Sequence, residues 1–128
     1  EKDIVYRPGS MTELDQHGGR VRTWKVDNLR YECLHAGVAI RTERLLTIGG
    51  YDEQFRNYYG FEDAHMLSRL RASGVEFVID DEVKTFHLYH DRPGFQKSTA
   101  IAGQELYNKK VMNLEIVANK GEEWGQGL

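Results

Sequence analysis

Residues 49–92 read GGYDEQFRNYYGFEDAHMLSRLRASGVEFVIDDEVKTFHLYHDR, and the punctuation of this stretch decides the fold. Gly49-Gly50 stops one element, and Tyr51-Asp52-Glu53-Gln54-Phe55 follows as a turn. A helix then opens at Glu62-Asp63, because acidic side chains in a first turn face the positive end of the helix dipole. Phe61, Ala64, Leu67 and Leu70 give it an apolar stripe, and Gly74 ends it. Val75 to Ile79 is a strand, Asp80-Asp81-Glu82 a solvated turn, and Val83 to His90 a second extended segment before Pro93-Gly94 turns the chain.

Upstream, the apolar run Ala36 to Ile40 reads as a buried strand, and Thr42 as the cap of a short helix from Glu43 to Ile48. Residues 1–35 read as an irregular N-terminal segment: Pro8-Gly9 and Gly18-Gly19 break it, and Arg20 to Val26 shows no firm period. Downstream, Tyr107, Val111, Leu114 and Ala118 fall on one helical face, predicting a helix from Ser98 to Ala118 with Gly121 as its stop. The order is strand, helix, helix, strand, strand, helix. That is a mixed α/β or α+β fragment, with too few βα units for a complete doubly wound domain. Residues 36–95 hold the chemistry, and 96–128 form a C-terminal helix and tail.

Composition narrows the function. The chain has 128 residues, 40% hydrophobic and 29% charged, with a formal net charge of −3. These are values of an ordinary globular domain, and nothing supplies the basic face that a nucleic-acid partner requires. No apolar run is long enough to cross a membrane, and no signal peptide opens the sequence. Cys33 is the only cysteine, so an internal disulfide is excluded. A reducing, cytoplasmic setting is expected, with any membrane association through other parts of a longer protein. Cys33 itself reads as a small packing residue, and His65 as a surface bystander.

Three features carry chemistry. Glu62 and Asp63 are adjacent carboxylates at a helix N-terminus. The exposed N–H groups there keep them ionised, while partial burial raises basicity. Capping alone would also account for them. His87 and His90 stand at i, i+3; on a strand they face opposite ways, but at a strand-to-loop junction both reach one ion. Two hydrogen-bonded surface histidines are the plainer reading. Tyr58, Tyr59 and Phe61 cluster before the acid pair, where aromatic faces serve either a sugar ring or the core. Trp24 is a weaker candidate of the same kind.

In order and spacing these features resemble the C-terminal catalytic segment of GT-A-fold glycosyltransferases. Gly49 to Arg92 is similar to bacterial family-2 transferases, polypeptide N-acetylgalactosaminyltransferases and β-1,4-galactosyltransferases. The shared pattern is a Gly-Gly-(Phe/Tyr)-Asp-Glu-x-Phe turn, a Gly-x-Glu-Asp helix start, an Arg-Leu…Gly helix end, a strand, and a histidine before a loop. The resemblance implies a metal-dependent transferase using Mn2+ or Mg2+, which moves a sugar from a nucleotide-diphosphate donor, a UDP-sugar, to a carbohydrate or glycoconjugate hydroxyl in polysaccharide or glycoconjugate assembly. It makes Asp63 the base and Glu62 an acceptor ligand. It places Gly49, Gly50, Tyr51 and Asp52 at the donor sugar. By their chemistry Tyr59 and Phe61 suit an acceptor sugar or the core, and Arg92 suits diphosphate oxygens or a plain surface position. The galactosyltransferase pattern makes His90 the metal ligand with His87 as accessory; the N-acetylgalactosaminyltransferase pattern favours His87.

The sequence departs from the family in one respect: no two aspartates form the Asp-x-Asp metal and nucleotide motif. Glu13-Leu14-Asp15 lacks a preceding apolar strand, and Asp80-Asp81-Glu82 lies after the acid-pair helix. The chain is therefore expected to be a C-terminal half, inactive without an N-terminal half that grips the nucleotide. Glu-Asp rather than Glu-Asn leans towards inversion. The rival readings are a non-catalytic carbohydrate-binding or interaction module, and a metal-dependent hydrolase built on His87, His90 and Asp63.

Overall fold

Val5, Arg7, Met11 and Thr12 are buried, in the middle of the stretch expected to be irregular. In the computed structural model, which describes residues 3–27, 37–91 and 96–124, this stretch is strand β1 (Ile4–Leu14), the centre of the sheet. It pairs antiparallel with β2 (Arg20–Lys25) and parallel with β3 (Glu76–His87), giving the order β2-β1-β3. Pro8-Gly9 does not break the strand, because the ladder absorbs it as an irregularity. Pro8 pairs with Asp80, Ser10 pairs with Lys84, and the extra residues of β3 bulge outward. A side chain at Gly9 would meet the Asp81 backbone at 2.6 Å, so the glycine permits the close approach. Asp80, Asp81 and Glu82 are solvated as expected, but they form this bulge inside one continuous β3 rather than a turn between two strands.

Between β2 and β3 come α1 (Thr42–Thr47), a 3-10 turn (Glu53–Phe55) and α2 (Glu62–Ala72); α3 (Lys97–Met112) follows β3. The chain is thus a mixed α/β domain with a three-stranded mixed sheet and, among the described residues, three α-helices. Three expected boundaries are corrected. Residues 37–40 form no buried strand, only a single bridge from Ala39 to Tyr6. Thr42 is the first helical residue of α1 rather than its cap, which is Arg41 with extended backbone. Helix α3 stops at Met112 because Leu114 turns left-handed (φ 53°), leaving it exposed, and the buried positions of α3 are Gly103 and Lys110 rather than the predicted apolar stripe.

Two compact units are formed. One comprises residues 1–3, 41–75 and 94–128, the other 4–40 and 76–93. The first is built on α2, which buries Ala64, His65, Met66, Leu67, Arg69 and Leu70. The second is the sheet, where Met11, Val26, Trp24 and Ile79 pack together.

Candidate functional site

The Gly49-Gly50 turn is set from below by a buried arginine. Both glycines take left-handed backbone (φ 79° and 67°), and their N–H groups return to the Leu46 and Leu45 carbonyls to close α1. Arg69, 1% exposed, donates to the carbonyls of Ile48 and Gly50 at 2.6 Å each. From the other side, Asn119 Nδ2 donates to the Gly49 and Tyr51 carbonyls, and its Oδ1 accepts from Glu53 N–H. Little space remains around the glycines. A side chain at Gly49 would meet the Ala118 carbonyl at 2.2 Å, and one at Gly50 the Trp124 indole at 2.5 Å.

Asp52 lies at the centre of the same unit. Its Oδ1 caps the 3-10 turn by accepting from Gln54 N–H, while Lys110 Nζ sits 2.7 Å from Oδ2. Burial alone would raise the Asp52 pKa, but hydrogen bonds from Lys110 and Gln54 and the Lys110 charge outweigh it and hold the carboxyl below its ordinary value. Lys110 also reaches Glu115 at 3.3 Å. His65, expected at the surface, is buried beside this pair, its Nδ1 3.8 Å from Asp52 Oδ2 and its ring against Phe55. Burial, then the Arg69 charge, push its pKa down to about 4, so the imidazole is neutral. Burial likewise lowers the Arg69 pKa. Asp52, His65 and Glu115 form the cluster whose donor atoms lie within 4.8 Å of one another, yet the Lys110 ammonium already supplies its cation. Asp52, expected at the donor sugar, is committed to this network.

Tyr51, next to it, projects outward and is half-exposed. Its pKa is raised by burial and by the charges of Asp63 and Glu62, so the tyrosine and the acid pair share one neighbourhood. Phe61 precedes the pair in left-handed backbone (φ 73°), a strained conformation for an aromatic residue. It is braced by Tyr107, ring centroids 5.7 Å apart, and by the close approach of Gly103. Asp63 Oδ1 accepts from the N–H of Ala64, and both carboxylates remain partly exposed. Tyr59 is 41% exposed. In this unit, then, the fold gathers Tyr51, Glu62 and Asp63.

The histidines belong to the sheet unit. β3 ends at His87, so His90 escapes strand alternation and the two rings converge, Nε2 to Nε2 at 3.2 Å. Two nitrogens on one ion with bonds of about 2.0–2.1 Å stand roughly 3 Å apart, so the spacing fits a shared metal. His90 Nδ1 donates to the Asp91 carbonyl, so its Nε2 accepts the hydrogen bond that joins the two rings and His87 Nε2–H donates it; the rings form the hydrogen-bonded pair of the plainer reading, and a shared metal would take the place of that proton. The pair lines a cavity of about 340 Å³ with Glu13, Leu14, Arg22, Leu88, Tyr89 and Asp91. Among the described residues no third His, Cys, Asp or Glu joins them as a compact ligand group. Glu13-Leu14-Asp15, set aside for want of a preceding strand, lies at the end of one: Glu13 and Leu14 are the last residues of β1. Arg92 and Cys33 lie outside the described residues.

A family model described as the N-terminal domain of galactosyltransferase matches residues 20–91, more than half of the chain. The chain belongs to the galactosyltransferase family. The matched stretch contains the Gly49-Gly50 turn, the acid pair and both histidines, the residues on which the sequence resemblance rested. Membership implies a sugar donor and acceptor as partners. The description speaks of an N-terminal domain, so the match does not carry the C-terminal placement read from the sequence. No curated protein and no solved structure gives a significant match. No helix among the described residues is long and apolar enough to cross a membrane.

The sequence reading placed His65 at the surface, gave Arg69 no role beyond the helix-end pattern, and passed over Lys110 and Asn119. Charged and polar residues on helices and in tails usually face water. The available signal was that His65 and Arg69 stand one turn apart, at i and i+4, on one side of α2.

Proposed function

We propose that this galactosyltransferase-family chain supplies the acceptor side and the metal side of a GT-A-type enzyme. The enzyme moves a sugar from a nucleotide-diphosphate donor, a UDP-sugar, to a carbohydrate hydroxyl with inversion. The observation carrying this reading is the convergence of His87 and His90 inside the matched stretch, their Nε2 atoms 3.2 Å apart. In this reading His90 is the main metal ligand, since its Nδ1–H bond to the Asp91 carbonyl fixes the ligating tautomer, and His87 is the accessory. A bound Mn2+ or Mg2+ would neutralise charge on the departing diphosphate. The remaining ligands are assigned to another segment, because the chain has no Asp-x-Asp motif. Arg92 is assigned to the diphosphate oxygens.

Asp63 takes the proton of the acceptor hydroxyl as it attacks the anomeric carbon, and Glu62 orients that hydroxyl. Tyr51, sensing both charges, stands at the donor–acceptor boundary, and Tyr59 and Phe61 are assigned to the acceptor's sugar faces. Gly49, Gly50 and Asp52 act indirectly, by fixing the loop that presents Tyr51. Replacing Asp63 by Asn in the full-length protein tests the base role. Transfer from a UDP-sugar is expected to fall about 100-fold or more while donor binding persists; retained turnover would refute it. Exposure of Tyr51, Tyr58 and Tyr59 favours a non-catalytic carbohydrate-binding module as the second reading, which predicts sugar binding independent of metal and nucleotide.

A further inference from the structure

A row of three side chains crosses the sheet at the histidine cavity. Glu13 on β1 pairs with Arg22 on β2 and with His87 on β3. Directly paired residues on neighbouring strands share a face, so a guanidinium, a carboxylate and an imidazole stand side by side. All three line the cavity that holds His90. Two residues along β2, Trp24 shares the same face, and the Arg22 guanidinium lies 3.9 Å above its ring.

Glu13 holds Arg22 at 2.9 Å, but the arginine side chain is 61% exposed. Such a surface pair is weak, so Glu13 is a poor competitor for an incoming anion. A diphosphate offers the guanidinium two parallel charge-assisted hydrogen bonds, a geometry that lysine cannot reproduce. Stacking on Trp24 keeps the guanidinium plane oriented while its partner changes.

We propose that Arg22 is a diphosphate-binding residue of this cavity, exchanging the Glu13 carboxylate for donor diphosphate oxygens beside His87 and His90. The exchange breaks and makes hydrogen bonds only. The inference rests on the reading of the histidines as the metal side of a nucleotide-sugar site, but it concerns a different residue and a separable ligand.

The test is calorimetric titration of the full-length protein and its Arg22→Ala, Arg22→Lys, Glu13→Gln and His90→Ala variants. The probes are Mn2+ alone, inorganic pyrophosphate alone, pyrophosphate with Mn2+, UDP, and orthophosphate. Arg22→Ala is expected to weaken pyrophosphate and UDP about tenfold and leave Mn2+ affinity unchanged. Arg22→Lys should recover only part of the loss, and Glu13→Gln should strengthen pyrophosphate severalfold. Orthophosphate bound as tightly as pyrophosphate would overturn the diphosphate assignment. Pyrophosphate affinity equal in wild type and Arg22→Ala, both with folded circular dichroism spectra, overturns the proposal, as does a wild type that binds no pyrophosphate. Failure of the metal reading shows separately, as Mn2+ affinity indifferent to His90→Ala.

Discussion

Two clusters of charged and ionisable side chains differ in almost every physical respect. Asp52, His65, Arg69 and Lys110 are buried in the helical unit; Asp52, Arg69 and Lys110 are bonded to backbone or to one another, and His65 is packed beside them against Phe55. Glu13, Arg22, His87 and His90 line an open cavity of the sheet unit, where their contacts are solvated and exchangeable. The first cluster is arranged to hold a loop still. The second is arranged to change partners. Tests that separate stability from binding should therefore give opposite answers in the two places.

The largest effect is expected from Lys110→Met. It leaves the Asp52 carboxylate buried without its cation, which costs about 3–5 kcal/mol. Urea denaturation reads this directly. Adding Asp52→Asn to that variant should recover part of the loss, because the uncompensated charge is then gone. Additive losses would show that the two side chains are not coupled. Gly49→Ala should come next, at about 3 kcal/mol, since it combines left-handed backbone with a contact of 2.2 Å to the Ala118 carbonyl. A near-wild-type midpoint would mean that the tail segment at Ala118 does not clamp the turn.

His65 sets the third effect. Its folded pKa, about 4, lies below the ordinary histidine value of 6.5, so between these values the unfolded chain binds a proton that the folded chain refuses. Stability is then complete above pH 6.5 and falls as pH drops towards 4, by about 2–3 kcal/mol. Asp52, also lowered, adds a loss in the same direction at lower pH, as its carboxyl protonates. A His65→Gln variant should flatten the upper part of this slope. An unchanged slope would assign it to other groups.

How much of this could be read in the sequence depended on range. The Gly49-Gly50 stop, the acidic start of α2 and its Gly74 end are local chemistry, and all three appear where expected. β1 escaped because its pairing partners on β3 lie some seventy residues further on and Pro8-Gly9 carries the usual mark of a turn. Only the pairing explains how a proline and a glycine sit inside a strand. The site divided in the same way. Glu62, Asp63, His87 and His90 were legible as residue types at fixed spacing. The buried network was not, because Lys110 and Asp52 meet across fifty-eight positions and each alone resembles a surface charge.

The smallest stability effect is the one that sharpens the comparison most. His87→Ala and His90→Ala each remove an exposed contact, and each should change the unfolding free energy in urea by less than about 0.5 kcal/mol. Metal binding should respond quite differently. Loss of His90 is expected to lower Mn2+ affinity at least tenfold, and loss of His87 by less, in keeping with the main and accessory roles of the proposed reading. Equal losses would make the two rings equivalent ligands and remove the preference for His90. A large fall in stability with either substitution would place the pair with the buried network, as structure rather than site, and the distinction between the two clusters would fail at its most testable point.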